Sequence, residues 1–260
     1  MSDLVRQRQI IELLRDRPFA SVRELQERLG VSAATVRRDI DKLDERGTAR
    51  KVYGGISALD GAYQAGAAFA RPYDENRDLA VDAKRSIAEA AATMVRDGDA
   101  IIVNGGSTCF HLGVKVADRS IRLFTNSMPL ATYLGDHGKC SLTIAGGDLH
   151  REPRVIYSPQ QKPAFYASKF FLGAQGIGPD GLLESHPLMV RSIQELSQNA
   201  DQVVVLADSR KFSIHARNVS LPLMRVGIVV TDDGLSDAAA RMLENAGVTL
   251  HIASNATQGG

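Results

Sequence analysis

The apolar residues at the start of the chain recur with a helical period, and charged residues fill the positions between them. This pattern predicts an amphipathic helix from Leu4 to Leu14. A second helix begins at a capping box made by Ser21 and Glu24, and Gly30 ends it. Each of these helices is expected to bury one apolar face.

A third helix is predicted for "SAATVRRDIDKLDERG", between a cap at Ser32 and a stop at Gly47. Its inner face carries Val36, Ile40 and Leu43, spaced four and three residues apart. The residues left pointing outward are Ala33, Thr35, Arg37, Arg38 and Asp41. A helix, a three-residue turn containing glycine and another helix form the helix-turn-helix layout. Arginine is the commonest specific reader of DNA, through its bidentate contact with guanine.

The next segment, "TARKVYGGISAL", contains two strand-like runs on either side of Tyr53, Gly54 and Gly55. The pattern predicts a hairpin wing, on which Arg50 and Lys51 would contact phosphates. The predicted DNA-binding residues are Ser32, Ala33, Thr35, Arg37, Arg38, Lys42, Arg50, Lys51 and Tyr53. The alternative is a small helical adaptor whose charges are merely solvated. The order of turn, cap, arginines and basic wing favours double-stranded operator DNA as the partner.

Beyond this segment, the pattern changes to alternating strands and helices. Strand-like runs occupy residues 100–103, 122–125, 142–145, 169–174, 202–207, 226–231 and 249–253. Helical patterns occupy residues 82–95, 107–117, 128–136, 187–200 and 236–246. This alternation predicts an α/β domain with a mostly parallel sheet covered on both faces. The predicted domains are a winged helix-turn-helix over 1–57, a linker over 58–78, the α/β domain over 79–253 and a flexible tail over 254–260.

Glycines and polar residues follow several of the predicted strands in "NGGST", "TNS", "AGGDL", "GAQGIG" and "ADSRKF". The carboxyl ends of parallel strands are where such sheets bind ligands, and a glycine turn before a helix binds anions. The predicted effector-binding residues are Asn104, Gly105, Gly106, Ser107, Thr108, Asn126, Ser127, Gln175, Arg191, Asp208 and Lys211. His186 either lines the same pocket or is structural. The alternative for each motif alone is an ordinary strand-to-helix turn, in which these residues are expected anyway.

Composition and charge limit the classes of protein to which the chain can belong. The formal net charge is +1, but residues 1–56 carry twelve basic and nine acidic residues, a mild positive bias. Cys109 and Cys140 have no metal-binding or disulfide spacing, so reduced thiols and no metal or cofactor are expected. The N-terminus is too charged for a signal peptide, and the apolar runs are too short to span a membrane. We therefore expect a cytoplasmic protein without a membrane partner.

The stretch "ELQERLGVSAATVRRDIDKLDERG" followed by "RKVYGG" resembles the N-terminal signature of the DeoR family of bacterial transcription regulators. Gln26 departs from that pattern, which has alanine there. The motifs "GST", "TNS", "GG", "GAQGI" and "ADSRKF", with Lys84 in a "K..IA..A" element, resemble the family's sensor domain. This likeness implies a fold similar to ribose-5-phosphate isomerase and other sugar-phosphate isomerases. "NGGSTCFHLG", "TNSMPLATYL" and "SPQ" resemble the subgroup of L-ascorbate utilisation repressors.

The resemblance implies a transcription regulator, expected to be a repressor of a carbohydrate operon that senses a phosphorylated sugar. The alternative is a sugar-phosphate isomerase or deaminase with an appended DNA-binding domain. Gln175 disfavours this enzyme, because an amide cannot serve as the general base that a carboxylate at that position would provide. A protein-interaction module would leave the basic helix and wing unexplained. A homodimer or homotetramer is expected, because helix-turn-helix proteins read repeated half-sites.

Overall fold

The computed structural model describes residues 3–16, 19–46, 48–52, 55–58, 73–160, 164–216 and 218–253. The chain divides into two compact units, Met1–Phe69 and Ala70–Gly260. No helix in these described ranges is long and apolar enough to cross a membrane.

The first unit consists of three helices and a small sheet. The helices are α1 (Asp3–Asp16), α2 (Val22–Leu29) and α3 (Ala33–Glu45). The strands are β1 (Phe19–Ser21), β2 (Ala49–Val52) and β3 (Gly55–Ala58), and they pair antiparallel in the order β1-β3-β2. The structure confirms the three helices and the hairpin wing. It adds β1, which the sequence did not signal because three residues are too few for a period to appear.

Local signals determine the ends of the two helices of the helix-turn-helix. The Ser21 hydroxyl accepts a hydrogen bond from the Glu24 amide at 3.1 Å, and Gly30 closes α2 in the left-handed conformation at φ 64°. The Ser32 hydroxyl accepts from the Thr35 amide at 3.3 Å and caps α3. The inner faces of all three helices then meet in one apolar core that includes Ile10, Leu25, Val36, Ile40 and Ile56.

The second unit is built on a seven-stranded parallel sheet. Its strands are β4 (Ala100–Val103), β5 (Arg122–Thr125), β6 (Ser141–Ile144), β9 (Ala167–Leu172), β12 (Ala200–Leu206), β14 (Ile228–Asp232) and β15 (Thr249–Ala253). Their order is β15-β14-β12-β9-β4-β5-β6, and every pair is parallel. All seven predicted strands are present, with ends shifted by up to two residues.

Helices cover both faces of this sheet, which is why successive residues of its central strands are buried. One face packs against α5 (Val81–Ala92), α6 (Ser107–Lys115) and α7 (Met128–His137) through Val103, Leu123 and Phe171. The other packs against α8 (Pro187–Ser197) and α9 (Asp237–Asn245) through Ile102, Phe124 and Phe170. Phe170 and Phe171 are adjacent in β9 and lie in opposite cores.

Several elements outside this pattern were not predicted. The strands β7 (Asp148–His150) and β8 (Val155–Tyr157) form a hairpin. The strands β10 (Gly176–Gly178), β11 (Gly181–Glu184) and β13 (Asn218–Leu221) form a small antiparallel sheet. The predicted linker over 58–78 lies mostly outside the described residues, and its last six residues, Tyr73–Asp78, form a helix, α4, with the Tyr73 side chain buried. Its six residues are too few to show a helical period.

Candidate DNA interface and effector site

The outer face of α3 carries the predicted recognition residues. Arg37 and Arg38 are exposed, whereas Val36 between the turn and these arginines is fully buried. Ser32 and Thr35 are joined by a hydroxyl–hydroxyl hydrogen bond of 3.0 Å at the start of the helix. The arginines are therefore available for base edges, while the small polar residues hold the helix start in shape.

The lysines predicted to bind DNA already have partners within the unit. The Lys42 ammonium donates to Asp3 at 2.8 Å and connects α3 to α1. Lys51 donates to Asp41 at 2.6 Å, and this carboxylate raises the pKa of Lys51. Both side chains are exposed, and each ammonium has three donors, so a phosphate contact would share the ammonium with its carboxylate or replace that carboxylate. The side chain of Arg50 and the whole of Tyr53 lie outside the described residues.

A buried polar cluster behind α3 was missed in the sequence. Asp39 is 1% exposed and accepts hydrogen bonds from Arg6 at 2.7 Å and from Gln7 at 3.2 Å. These contacts hold α1 against the inner side of α3. The signal was available, because Asp39 directly precedes Ile40 and lies three residues after Val36, on the edge of the inner stripe.

In the second unit, the predicted effector residues meet at one edge of the sheet. The chain runs outward from β4 through β5 to β6 and then returns to the other side of β4 as β9. The carboxyl ends of β4 and β9 therefore flank a topological switch point, which is where open α/β sheets bind ligands. Residues 104–108 follow β4, Asn126 follows β5, Gln175 follows β9 and Asp208 follows β12.

The loop between β4 and α6 is held by its neighbours in a defined shape. The Asn126 carbonyl oxygen accepts from the Gly105 amide at 2.8 Å, and the Asn126 amide donates to the Ser192 hydroxyl at 3.2 Å. A side chain at position 105 would collide with the buried Val155 of β8, which packs directly over the loop. Gly106 has φ 145°, a conformation that favours glycine, and it is the N-cap residue of α6. Ser107 and Thr108 then form the buried first turn of that helix.

Asn104 supplies an unusual acceptor at this edge. It is 1% exposed, and its carbonyl oxygen has no hydrogen-bond partner among the described residues. The His186 Nδ1 atom, at the start of α8, is also buried and also has no hydrogen-bond partner among the described residues. An unsatisfied buried polar atom costs about 1–3 kcal/mol, so such an atom at a strand end indicates a place for a ligand.

Three cations surround the buried carboxylate of Asp208. Arg210 donates to both of its oxygens, at 2.7 and 3.2 Å. Burial raises the pKa of Asp208, but Arg210, Lys211 and Lys84 together outweigh burial and lower it. Asp208 and Lys211 were both predicted to bind the effector, and the ion pair of Asp208 with Arg210 was not predicted. The cause of this ion pair is the 3₁₀ turn Ser209–Ser213, which curls Arg210 back onto Asp208.

Lys84 is the most unusual of these cations. Its side chain is fully buried in the first turn of α5, and burial lowers its pKa to about 8 although Asp208 opposes that shift. In the sequence, Lys84 matches the "K..IA..A" element of the family, but it was not predicted as an effector-binding residue. Lys84 lies three residues before Ile87 and four before Ala88, so it continues their buried stripe. A lysine on a buried stripe is a usable signal of function.

The remaining predicted residues differ in their contacts and in their exposure to solvent. The Gln175 carbonyl oxygen accepts from the Ser185 amide at 2.9 Å and from its hydroxyl at 2.8 Å, which holds β9 near the start of α8. The Ser127 hydroxyl caps α7 by accepting from the Leu130 amide at 3.3 Å. Arg191 lies on the exposed side of α8, where it acts electrostatically on Tyr157. Ser127 and Arg191 are thus less directly placed for a ligand than the loop.

Glu184 was not predicted and lies close to Gln175. Burial raises its pKa, while the amides of Ser185 and His186, at 2.8 and 3.0 Å, and the charge of Lys211 lower it. Both amides bind the same carboxylate oxygen. This carboxylate therefore organises the turn that leads into α8.

A cavity of about 290 Å³ opens beside the loop, on the α8 side of the sheet. It is lined by Phe124, Asn126, Phe165, Ser192 and Glu195, among others. Of the predicted effector residues in the described chain, Asn126 is the one that lines it. The cavity therefore adjoins the glycine loop through Asn126, and none of the three cations lines it.

Comparison with known proteins agrees with both units. Residues 6–61 match the DeoR-like helix-turn-helix domain, and residues 79–233 match the DeoR C terminal sensor domain. The chain is 31% identical over 252 residues to the HTH-type transcriptional regulator UlaR of Shigella sonnei, the L-ascorbate utilisation repressor, covering 96% of this chain and 99% of the relative. UlaR of Escherichia coli K12 matches with the same identity and coverage. The family and subgroup that the sequence resembles are confirmed.

Solved structures similar to the chain include ribose 5-phosphate isomerase A of Methanocaldococcus jannaschii, with a TM-score of 0.35 and 18% identity over 50% of this chain and 53% of that one. The tetrameric eIF2B-beta2-delta2 complex of Chaetomium thermophilum has a TM-score of 0.42 and 19% identity over 56% of this chain and 45% of that one. At these values the likeness indicates neither a substrate nor an activity.

Proposed function

Because the chain belongs to the DeoR family of DNA-binding transcription regulators, we propose that it represses a carbohydrate operon and that a phosphorylated sugar controls it. In this proposal α3 reads the operator with Arg37 and Arg38, and β2 contributes basic residues to phosphate contacts. The effector binds at the carboxyl edge of the parallel sheet and changes the population of the DNA-binding form.

The observation that carries the effector proposal is the group of Lys84, Arg210 and Lys211 around one buried carboxylate, Asp208. A lysine is seldom fully buried without a partner or a function, and Lys84 has no exposed surface, whereas Lys211 is half-buried and Arg210 is exposed. The loop over 104–108 adds backbone amides and the positive end of α6, which together favour a phosphate. Asn104 adds a carbonyl oxygen that can accept from a sugar hydroxyl.

We further infer that the site is a sensor without catalysis. The curated relatives reported above are named as regulators, and position 175 carries an amide whose oxygen is already bound to Ser185. Glu184 is the observation that favours the enzyme alternative, because a buried carboxylate with a raised pKa is suited to proton transfer. Its two amide contacts give it a structural explanation. Turnover assays with pentose and hexose phosphates separate the two functions, since measurable isomerisation or deamination would favour the enzyme.

The test of the regulator uses the full chain and an operator selected from random DNA. We expect one member of a panel of phosphorylated sugars to raise the melting temperature and to release the operator. The matched unphosphorylated sugar is the control and should bind at least about tenfold more weakly, because it lacks the charge-assisted contacts. Equal effects of both sugars would contradict the phosphate site. Light scattering on the same sample tests the expected dimer or tetramer.

A further inference from the structure

The short helix α4 contacts the cation cluster described above. The Lys84 ammonium donates to the backbone carbonyl of Asn76, and the Lys211 ammonium lies 3.5 Å from the Asn76 side-chain oxygen. Two of the three cations around Asp208 are therefore next to oxygen atoms of a single residue of α4. Both oxygens are neutral, whereas phosphate oxygens are charged and form stronger hydrogen bonds with ammonium groups.

The position of α4 also controls access to Lys84. The Lys84 side chain has no exposed surface, and the Asn76 carbonyl caps its ammonium. A ligand oxygen can therefore reach that ammonium only after α4 has moved. The site as it stands is occupied by a segment of the chain itself.

The polar contacts that hold α4 in place are weak individually, and the buried Tyr73 ring adds an apolar anchor. Asp74 pairs with Arg154 at 2.5 Å, but their side chains are 50% and 40% exposed. The Arg154 guanidinium lies 5.2 Å from the centre of the Tyr73 ring, and the Tyr73 amide donates to Glu152 at 3.0 Å. A helix of six residues has no stability of its own in water, so these contacts decide whether it stays.

From these observations we propose that α4 is an internal competitor of the effector: a phosphorylated sugar displaces Asn76 from Lys84 and Lys211, and the release of α4 is the regulatory signal. This inference rests on the function proposed above. In the chain, α4 is the first described element after the strand that ends at Ala58. Its displacement changes the point at which the chain enters the second unit, which is a physical route to the DNA-binding unit. Because the effector binds only molecules in which α4 is undocked, its apparent affinity is the intrinsic affinity multiplied by the undocked fraction.

The first experiment places a fluorescent reporter on α4. The chain contains no tryptophan, so the Tyr73→Trp variant has a single indole at a buried position beside Arg154. Titration with inorganic phosphate, and then with ribose 5-phosphate, should shift its emission to the red as the ring becomes exposed. A blue shift, or no shift while calorimetry shows binding, overturns the proposal, because α4 would then close over the ligand or stay in place.

The second experiment uses a matched pair of variants and does not depend on the reporter. Asp74→Asn removes the ion pair with Arg154, whereas Glu75→Gln removes an equal charge from an exposed position on the same helix. Asp74→Asn should bind inorganic phosphate about two- to fivefold more tightly than Glu75→Gln, which is the range expected from one exposed ion pair. Equal affinities, or weaker binding by Asp74→Asn, overturn the competition.

The outcomes separate this inference from the function on which it rests. Binding of either probe without a change at α4 overturns the internal competitor and leaves the phosphorylated-sugar site in place. If calorimetry detects binding of neither inorganic phosphate nor any member of the panel of phosphorylated sugars in the wild type and both variants, the proposed effector function fails together with this inference.

Discussion

Key lysines and arginines of the two candidate binding sites differ in burial. In the first unit, Arg37 and Arg38 are exposed and Lys42 and Lys51 pair with carboxylates at the surface. In the second, Lys84 is fully buried and acts on a buried carboxylate, Asp208. Exposed cations suit a large polyanion whose binding depends on salt, whereas buried cations suit a small anion that enters a pocket.

The difference also appears in the pKa values. Asp41 raises the pKa of Lys51, so this side chain stays charged at every physiological pH. Burial lowers the pKa of Lys84 to about 8, so its charge is lost in mild alkali. Under the proposed function, a change of pH therefore acts on the second unit through Lys84, whereas ionic strength acts mainly on the first. Each of the following predictions tests one side of that contrast.

The largest effect is expected for Thr108→Glu, which places a negative charge in the first turn of α6, where Thr108 is 7% exposed. Repulsion between this charge and a phosphate 4–8 Å away is about 2–4 kcal/mol at an effective dielectric constant of about 20. Effector affinity should fall by about 30- to 1000-fold, while operator binding is retained, as calorimetry and gel shift would show. Thr108→Gln controls for side-chain size. Equal affinities in the two variants would place the phosphate elsewhere.

Lys84→Gln should weaken effector binding by about 10- to 100-fold, the value of a lost charge-assisted hydrogen bond. In the wild type, binding should weaken above pH 8 as Lys84 loses its proton, since a phosphate ester, with a second pKa near 6, is already a dianion there. The groups that face Lys84 are Asp208, Lys211, Arg210 and Asp78. Titrations at several pH values should show this decline in the wild type and its loss in Lys84→Gln.

The stability of the ligand-free protein should change with pH in the opposite sense. The pKa of Lys84 is lower in the folded than in the unfolded chain, so the unfolded chain binds more protons between pH 8 and 10.5. The contribution of Lys84 to the free energy of unfolding therefore increases across this range. Chemical denaturation of the wild type relative to Lys84→Gln isolates that contribution. A Lys84 contribution that decreases over the same range would show that folding raises the pKa of Lys84 instead of lowering it.

Arg37→Ala and Arg38→Ala should each lower operator affinity by about 1–3 kcal/mol if the arginine reads a base, with a smaller loss on random DNA. Both side chains are exposed, so the melting temperature should hardly change. Competition gel shifts with operator and random DNA measure the difference. Equal losses on both DNAs would indicate a phosphate contact, and no loss in either variant would remove α3 as the recognition helix.

The smallest effect is expected at Lys51, because Asp41 already neutralises part of its charge. Lys51→Ala should weaken binding equally on all sequences and reduce the slope of log affinity against log salt by about one unit. Asp41→Asn should change binding in the opposite direction, since it releases the ammonium from its partner. Salt titrations of both variants provide the measurement, and an unchanged slope in both would show that the wing does not contact DNA.

Local patterns in the sequence predicted the helices of the helix-turn-helix and the seven parallel strands, but not α4 or the short antiparallel strands outside the wing. The caps at Ser21 and Ser32, the glycine at Gly30 and the alternation of apolar runs predicted the helices and the parallel strands. These signals depend on neighbours within a few residues, so they can be read along the chain. The glycine loop over 104–108 was found for the same reason, because its two glycines and the start of the following helix are adjacent in the sequence.

The tertiary structure alone decided which side chains meet. Asp208 lies far in sequence from Asn76 and Lys84, and the order of the strands and the packing of α5 bring it to Lys84. The pairing of Asp208 with Arg210 depends on a short 3₁₀ turn, and that of Lys51 with Asp41 on the position of the wing beside α3. Contacts of this kind, whether between near or distant residues, leave no period in the sequence. The burial of a charge, and with it the pKa of Lys84, is therefore a property of the folded protein.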